Sequence, residues 1–156
     1  MTNGYKKPNL KSLYFDDEVQ KISSLQGKTI AITGTTTGIG FVAARTVANK
    51  GARAVLLNRK SERSKSSYHQ LKKENPGANI VNIECDLQSF DSVRKAALRV
   101  IDLCQDGLDS LCNNAGIMAL KDEATVDGFD VQMQTNHLSH FLLTKEFLPL
   151  LKAAAE

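Results

Sequence analysis

What this chain lacks narrows it first. Its 156 residues hold three cysteines, an odd number, and Cys85, Cys104 and Cys112 show no C-x-x-C spacing. Neither a disulfide framework nor a zinc knuckle is therefore indicated. Free thiols suit a reducing compartment, so the expected location is cytoplasmic. Met1 to Gln26 contains no continuous apolar run, which predicts neither a signal peptide nor a membrane span. The net charge of +3 is mild, and no aromatic residues interleave with the lysines and arginines. A nucleic-acid groove is not expected on that pattern. His137 and His140 stand three apart without a third ligand at a suitable spacing. They are expected to pack rather than to hold a metal.

What is present is ordinary globular composition, 42% apolar and 24% charged, at a length that suits one domain. The informative stretch is Thr33-Gly34-Thr35-Thr36-Thr37-Gly38-Ile39-Gly40. It follows the apolar run Thr29 to Ile32 and opens onto a segment whose apolar positions Ile39, Val42, Ala43 and Val47 recur at helical spacing. This predicts a strand, a glycine turn and the first turn of a helix. Unpaired amides and the positive end of the dipole make such a terminus a seat for phosphate. Gly34 is expected to supply a positive φ. Gly38 and Gly40 are expected to omit Cβ atoms that would keep a pyrophosphate and the next strand away. No Lys follows the last glycine, so an ATPase or GTPase loop is a poor reading.

The remaining elements follow in alternation. Residues 1–26 read as a surface arm whose aromatics lie against the domain, with disorder the alternative around Asn3, Gly4, Lys6, Lys7 and Pro8. Residues 27–156 read as one domain. Gly51 caps the first helix, and Ala52 to Leu57 is a buried parallel strand. A helix from Ser61 to Glu74, a strand from Asn79 to Glu84, a helix from Ser89 to Gln105 and a strand from Leu108 to Cys112 come next. Thr125 to Glu156 reads mostly as one long helix with Phe129, Met133, Leu138, Phe141, Leu142 and Leu148 as its apolar stripe. The fold class is thus α/β, a Rossmann-like doubly wound parallel sheet of four strands in the order 3-2-1-4, with flanking helices.

At the tip of the second strand, where a dinucleotide site faces the adenosine ribose, the chain reads Asn58-Arg59-Lys60 without a carboxylate. Arg59 suits a 2′-phosphate, which favours NADP over NAD. The alternative is that Arg59, Lys60, Arg63 and Lys65 merely begin a solvated helix with Glu62 among them.

The pattern T-G-x-x-x-G-I-G resembles the cofactor loop of the short-chain dehydrogenase/reductase family. Asn113-Asn114-Ala115-Gly116, at the end of the fourth strand, resembles that family's second signature. Asn136-His137-Leu138-Ser139-His140-Phe141-Leu142-Leu143-Thr144 is similar to its retinol dehydrogenase-like branch. The resemblance covers residue 27 to the end of the chain. It implies an NADP-dependent oxidoreductase moving hydride between NADP(H) and a small-molecule carbonyl or alcohol, with a retinoid or other lipophilic compound as the example.

It also implies the cofactor contacts Gly34, Thr36, Thr37, Gly38, Ile39, Gly40, Arg59, Asp86, Leu87, Asn113, Asn114, Ala115 and Gly116. Within that set Asp86 accepts from the adenine amino group while Leu87 lies beside the ring, and a helix cap is the other role for Asp86. Asn114 ties strands together, and Ala115 and Gly116 let the backbone pass close to the cofactor. Asn136 stands as the catalytic-set residue whose backbone carbonyl holds a water in a proton relay.

The family's working Tyr-x-x-x-Lys belongs beyond a fifth strand. Tyr68-His69-Gln70-Leu71-Lys72 spells the motif but sits between the second and third strands, so it is assigned to structure or solvent. The chain alone is then expected to be inactive, its fourth strand to have an open edge, and its long C-terminal helix to offer a surface for a homo-oligomer. A dinucleotide-binding or partner-binding module without catalysis is the alternative.

Overall fold

The structure is a computed structural model and describes residues 12–155. Four short apolar stretches form one parallel sheet: β1 Thr29–Thr33, β2 Arg53–Asn58, β3 Ile80–Glu84 and β4 Ser110–Cys112. The order is β3-β2-β1-β4, as expected. In register, Ala31 faces both Val55 and Leu111, and Leu57 faces Ile83. Central β2 is covered on both faces, which is why Ala54 to Leu57 is apolar without alternation. Strand succession runs one way from β1 to β3 and then returns to β4 on the other side of β1. A crevice therefore opens at the carboxyl ends of β1 and β4, the switch point of a doubly wound sheet.

Each face has its own core. Helices α2 (Gly38–Asn49) and α3 (Glu62–Glu74) cover Ile32, Ala54, Leu56 and Ile80 with Ala44, Ala48 and Leu71. Helices α4 (Phe90–Leu103) and α6 (Ser139–Ala153) cover Ala31, Val55, Leu57 and Ile83 with Val93, Val100, Leu143 and Phe147. Burying each large aliphatic side chain is worth about 1.5–3 kcal/mol, so these two layers hold the sheet between them. Among the described residues β4 pairs with β1 alone, leaving its outer edge open. No helix among the described residues is long and apolar enough to cross a membrane.

Several sequence expectations change. In α2 the buried face is Gly40, Ala44 and Ala48, whereas Ile39 is 83% exposed and Val42, Ala43 and Val47 are half-buried. Small side chains let this helix approach the sheet closely, and its bulkier residues turn outward. The long C-terminal helix does not begin at Thr125. Residues 125–130 form a turn closed by an Ala124–Asp130 bridge, followed by a short helix α5 (Val131–Met133), a π-turn (Gln134–Leu138) and then α6.

The apolar stripe expected on that helix holds only in part: Leu142 packs against the core and Leu138 is half-buried, but Phe129, Met133, Phe141 and Leu148 are exposed, while His140, Leu143, Phe147 and Leu150 are buried. At the front of the chain, α1 (Phe15–Lys21) buries no residue fully, and Tyr14 is 72% exposed instead of lying against the domain. The expectation of disorder at Asn3, Gly4, Lys6, Lys7 and Pro8 falls outside the described residues.

Candidate functional site

The three helices that follow β1, β2 and β3 begin differently. Ser61 caps α3 by accepting from Ser64 N, and Ser89 caps α4 by accepting from Ser92 N; each first turn also carries an acid, Glu62 or Asp91. Thr37, at the same place in α2, makes no side-chain cap bond, and no acid follows it. The leading amides of α2 are thus left with neither a cap nor a fixed negative charge where that helix opens into the crevice.

Glycines shape that start. Gly38 has φ +60, and a Cβ built there meets no protein atom within 4 Å, so its backbone faces open space. Beyond the steric role expected of Gly38, this positive φ is itself a reason for glycine there. Gly40 is a packing necessity, because a Cβ there would lie 2.3 Å from Gly34 O and 2.4 Å from Asn114 Nδ2.

The crevice is an open cleft of about 800 Å³. Gly34, Thr36, Thr37, Ile39 and Gly40 form its floor, with Asn114, Ala115 and Gly116 along one side. Arg59 and Arg63 stand at one end, and Asp86 and Leu87 also line it. Glu62, the acid between the two arginines, is engaged instead by Lys65 at 2.7 Å, and that hydrogen bond and charge hold its carboxyl below the usual range. Arg59 and Arg63 form no ion pair among the described residues, and both are exposed. Ser89, not Asp86, caps α4; Asp86 Oδ1 accepts from Gln88 N at 3.0 Å and so stiffens the turn at the cleft wall. Cys85 also lines the cleft, but burial, reinforced by the Asp86 charge, pushes its thiol up to about 12, so it is a neutral packing group.

Side chains behind the cleft fix its loops. Asn114 Nδ2 donates to Thr33 O at 2.9 Å and to Gly34 O at 3.1 Å, tying β4 to the glycine turn. Asn113 does not line the cleft; its Nδ2 donates to Thr144 Oγ1 of α6. Gly38 likewise is placed on the outer side of the helix start, beside α1. Asn136 sits behind Ile117, whose N–H donates to Asn136 Oδ1 and whose carbonyl accepts from Asn136 Nδ2, at 2.8 and 2.7 Å. That pair of bonds clamps the loop leaving β4 as a neighbouring strand would.

Two residues missed from the sequence complete the frame. Asn58 is buried at the β2 tip, accepts from Thr35 N and donates to Thr35 Oγ1, both at 2.8 Å. A polar residue closing an otherwise apolar strand was the available signal. Thr33 is fully buried, and its hydroxyl oxygen accepts from Asn114 N at 3.0 Å and Ala115 N at 2.9 Å. Tyr68 packs on the α2–α3 core, and Lys72 Nζ donates to Ala78 O, away from the cleft.

Relatives share this framework. The family described as short chain dehydrogenase matches residues 28–156. An uncharacterized oxidoreductase (C736.13) of Schizosaccharomyces pombe is 41% identical over 135 residues, covering 86% of this chain and 40% of the relative. Human retinol dehydrogenase 13 is 36% identical over 133 residues, covering 85% of this chain and 40% of that protein. Among solved structures, the Pseudomonas aeruginosa RhlG/NADP active-site complex superposes with a TM-score of 0.70 at 32% identity, over 85% of this chain and 51% of that one. The chain spans about 40% of the length of these curated relatives. With its α/β order, glycine turn and N-N-A-G segment in the places where the matches run, this chain belongs to the short-chain dehydrogenase/reductase family and is retinol dehydrogenase-like within it.

Proposed function

We propose that the cleft binds NADP(H) and that the chain is the cofactor-binding part of an oxidoreductase acting on a small-molecule carbonyl or alcohol. The observation that carries this reading is the uncapped, acid-free start of α2 facing a cleft that ends in two arginines without carboxylate partners among the described residues. A diphosphate supplies acceptors for the α2 amides; Arg59, with Arg63 beside it, supplies donors for a 2′-phosphate. Asp86 and Leu87 would hold the adenine, and Asn114, Ala115 and Gly116 would flank the rest. The cofactor, when bound, provides or takes up hydride.

This chain's own residues orient and enclose it. Asn114 fixes the glycine turn, Asn58 fixes Thr35, and Asn136 fixes Ile117. Asn136 is also the relay position that the family resemblance implies. A lipophilic substrate is inferred from the name of retinol dehydrogenase 13. The exposed Phe141 and Leu148 of α6 fit a second copy of the chain, and the odd cysteine count fits the cytoplasm. Since Tyr68 and Lys72 lie away from the cleft, the 156-residue chain is expected to bind the cofactor without turnover.

The test is calorimetric titration of this chain with NADPH and NADH. A charge-assisted hydrogen bond is worth about 1.5–3 kcal/mol, so NADPH is expected to bind roughly tenfold to a hundredfold more tightly. Arg59→Asp narrows or reverses that gap. Equal affinities in the parent chain remove Arg59 from the site, and no binding of either dinucleotide removes the function.

A further inference from the structure

The buried side chain that the proposed site leaves unused is His140. It lies in the first turn of α6, is 6% exposed, and reaches two places at once: its Nε2 is 2.9 Å from Thr33 Oγ1 and its Nδ1 is 3.1 Å from the Asn136 backbone oxygen. Proton counting fixes the direction of both bonds. The Thr33 hydroxyl has two lone pairs and one hydrogen. Both lone pairs are taken by the N–H groups of Asn114 and Ala115. Its hydrogen therefore points outward, and the nearer acceptor is His140 Nε2 at 2.9 Å, against Cys112 O at 3.4 Å. A ring that accepts at Nε2 carries its proton on Nδ1 when neutral, and the atom facing Nδ1 is a carbonyl oxygen, which can only accept. With the proton on Nε2 instead, a lone pair would face the Asn136 oxygen and a third donor would face Thr33. The Nδ1–H tautomer satisfies every group; the other sets a lone pair against the Asn136 oxygen and leaves the Thr33 hydrogen only the longer bond to Cys112 O.

Burial lowers the affinity of His140 for a second proton, against the pull of its bond to Asn136, so the neutral ring fits this place. Low polarity around the chain strengthens each of its bonds. The neighbouring Ser139 adds a third anchor, its Oγ donating to Leu87 O at 2.6 Å. The π-turn at Gln134–Leu138, closed by the bond from Ser139 N to Gln134 O, is what brings Asn136, Ser139 and His140 to the tips of β4, β3 and β1 together.

We propose that His140 is a positioning residue: as the neutral Nδ1–H tautomer it holds the Asn136 carbonyl in a fixed direction and braces it against Thr33, the residue that also holds the cleft amides of Asn114 and Ala115. The bond from Nδ1–H takes up one acceptor direction of that carbonyl oxygen and fixes its orientation. Under the reading of Asn136 as a relay position, on which the functional meaning of this proposal rests, that orientation is what sets where the relay water meets the oxygen. His140 thus sets where the water sits without touching substrate or cofactor.

The experiment uses this 156-residue chain labelled with ¹⁵N and ¹³C, together with His140→Asn, His140→Gln and His140→Phe. An Asn amide can take the place of Nδ1 and donate to the Asn136 oxygen; a Gln amide can take the place of Nε2 and meet Thr33 only; Phe meets neither. Long-range ¹H–¹⁵N spectra of the parent at neutral pH are expected to show Nδ1 protonated and Nε2 bare. The Asn136 carbonyl ¹³C resonance is expected to move upfield in the Gln and Phe variants and to be restored in the Asn variant. A protonated Nε2 in the parent overturns the proposal, as does an Asn136 resonance equal in all four proteins, and the parent spectrum decides even if a variant does not fold. NADPH titration of the same samples separates the two readings. Loss of binding in the parent with the Nδ1–H pattern intact removes the cofactor site but leaves the brace. Normal binding with the wrong tautomer removes the brace alone.

Discussion

The start of α2 and the start of α4 are the same kind of object put to opposite uses. Each follows a parallel strand and each begins with a hydroxyl residue, Thr37 or Ser89. At α4 the hydroxyl is folded back onto Ser92 N and Asp91 adds negative charge, so the terminus is closed by its own chain. At α2 the hydroxyl makes no such bond, no acid follows, and Thr37, Ile39 and Gly40 line the cleft. A helix end that the sequence could have capped and did not is a site in waiting for an outside anion. The lesson is that the signal of function lies in what the fold leaves unsatisfied at one of several equivalent positions.

Breaking the comparison from the α2 side has the largest effect. Gly40→Ala places a methyl against Gly34 O and Asn114 Nδ2, and the backbone oxygen cannot swing away as a side chain would. Overpacking of this kind costs about 3 kcal/mol, and the displaced turn should lose at least about tenfold in NADPH affinity. Thermal unfolding and calorimetric titration read the two effects. From the α4 side, Ser89→Ala removes a working cap and should cost about 1 kcal/mol, with NADPH affinity unchanged. Thr37→Ala, by contrast, has no cap bond to lose and should leave stability within about 0.5 kcal/mol. Equal losses at the two positions would erase the distinction between a closed terminus and an open one.

The same contrast explains what could be read from the sequence. The strand positions, the glycine turn and the N-N-A-G segment were legible because they depend on local periodicity and on residues with special backbone needs, and the strand order followed from the doubly wound arrangement that the βαβ alternation implies. Which face of a helix is buried was not. In α2 the face toward the sheet is made of Gly40, Ala44 and Ala48, chosen for closeness, and a search for bulky apolar residues picks Ile39 instead. In the C-terminal segment residues 125–130 are a turn closed by the Ala124–Asp130 bridge, so a stripe counted from Phe129 starts outside any helix and includes exposed Phe141 and Leu148, while Leu143, Phe147 and Leu150 face the core. Thr33 and His140 were illegible for a different reason. Their partnership joins residues far apart in sequence, and only the fold brings them to 2.9 Å.

A smaller effect comes from the loop after β4. Ala119 has φ +57, in the left-handed region that costs a residue with a Cβ about 1–2 kcal/mol. Ala119→Gly relieves that strain and loses part of the gain to unfolded-chain entropy, for a net stabilisation of about 0.5 kcal/mol. Denaturant unfolding should show the shift without any change at the α2 terminus.

The far end of β1 sharpens the comparison at the smallest scale, because there the chain closes its own polar groups with a titratable one. Asp109 Oδ2 accepts from Thr29 N at 2.7 Å, and Lys28 Nζ lies 2.8 Å from Asp109 Oδ1. Desolvation pushes this carboxyl up, but the bonds from Lys28 and Thr29 and the Lys28 charge outweigh it and hold it below its usual range. A carboxyl depressed in the folded state contributes stability that is present above its unfolded pKa and is lost as pH falls through the folded value. Acid titration of stability should therefore show a small loss below the ordinary carboxylate range that Asp109→Asn abolishes. The α2 terminus carries no acid in its first turn and should add nothing to that slope, so Thr37→Ala should leave it unchanged. An Asp109→Asn chain that keeps the full acid slope would show that this end, too, is held by something other than its own carboxylate.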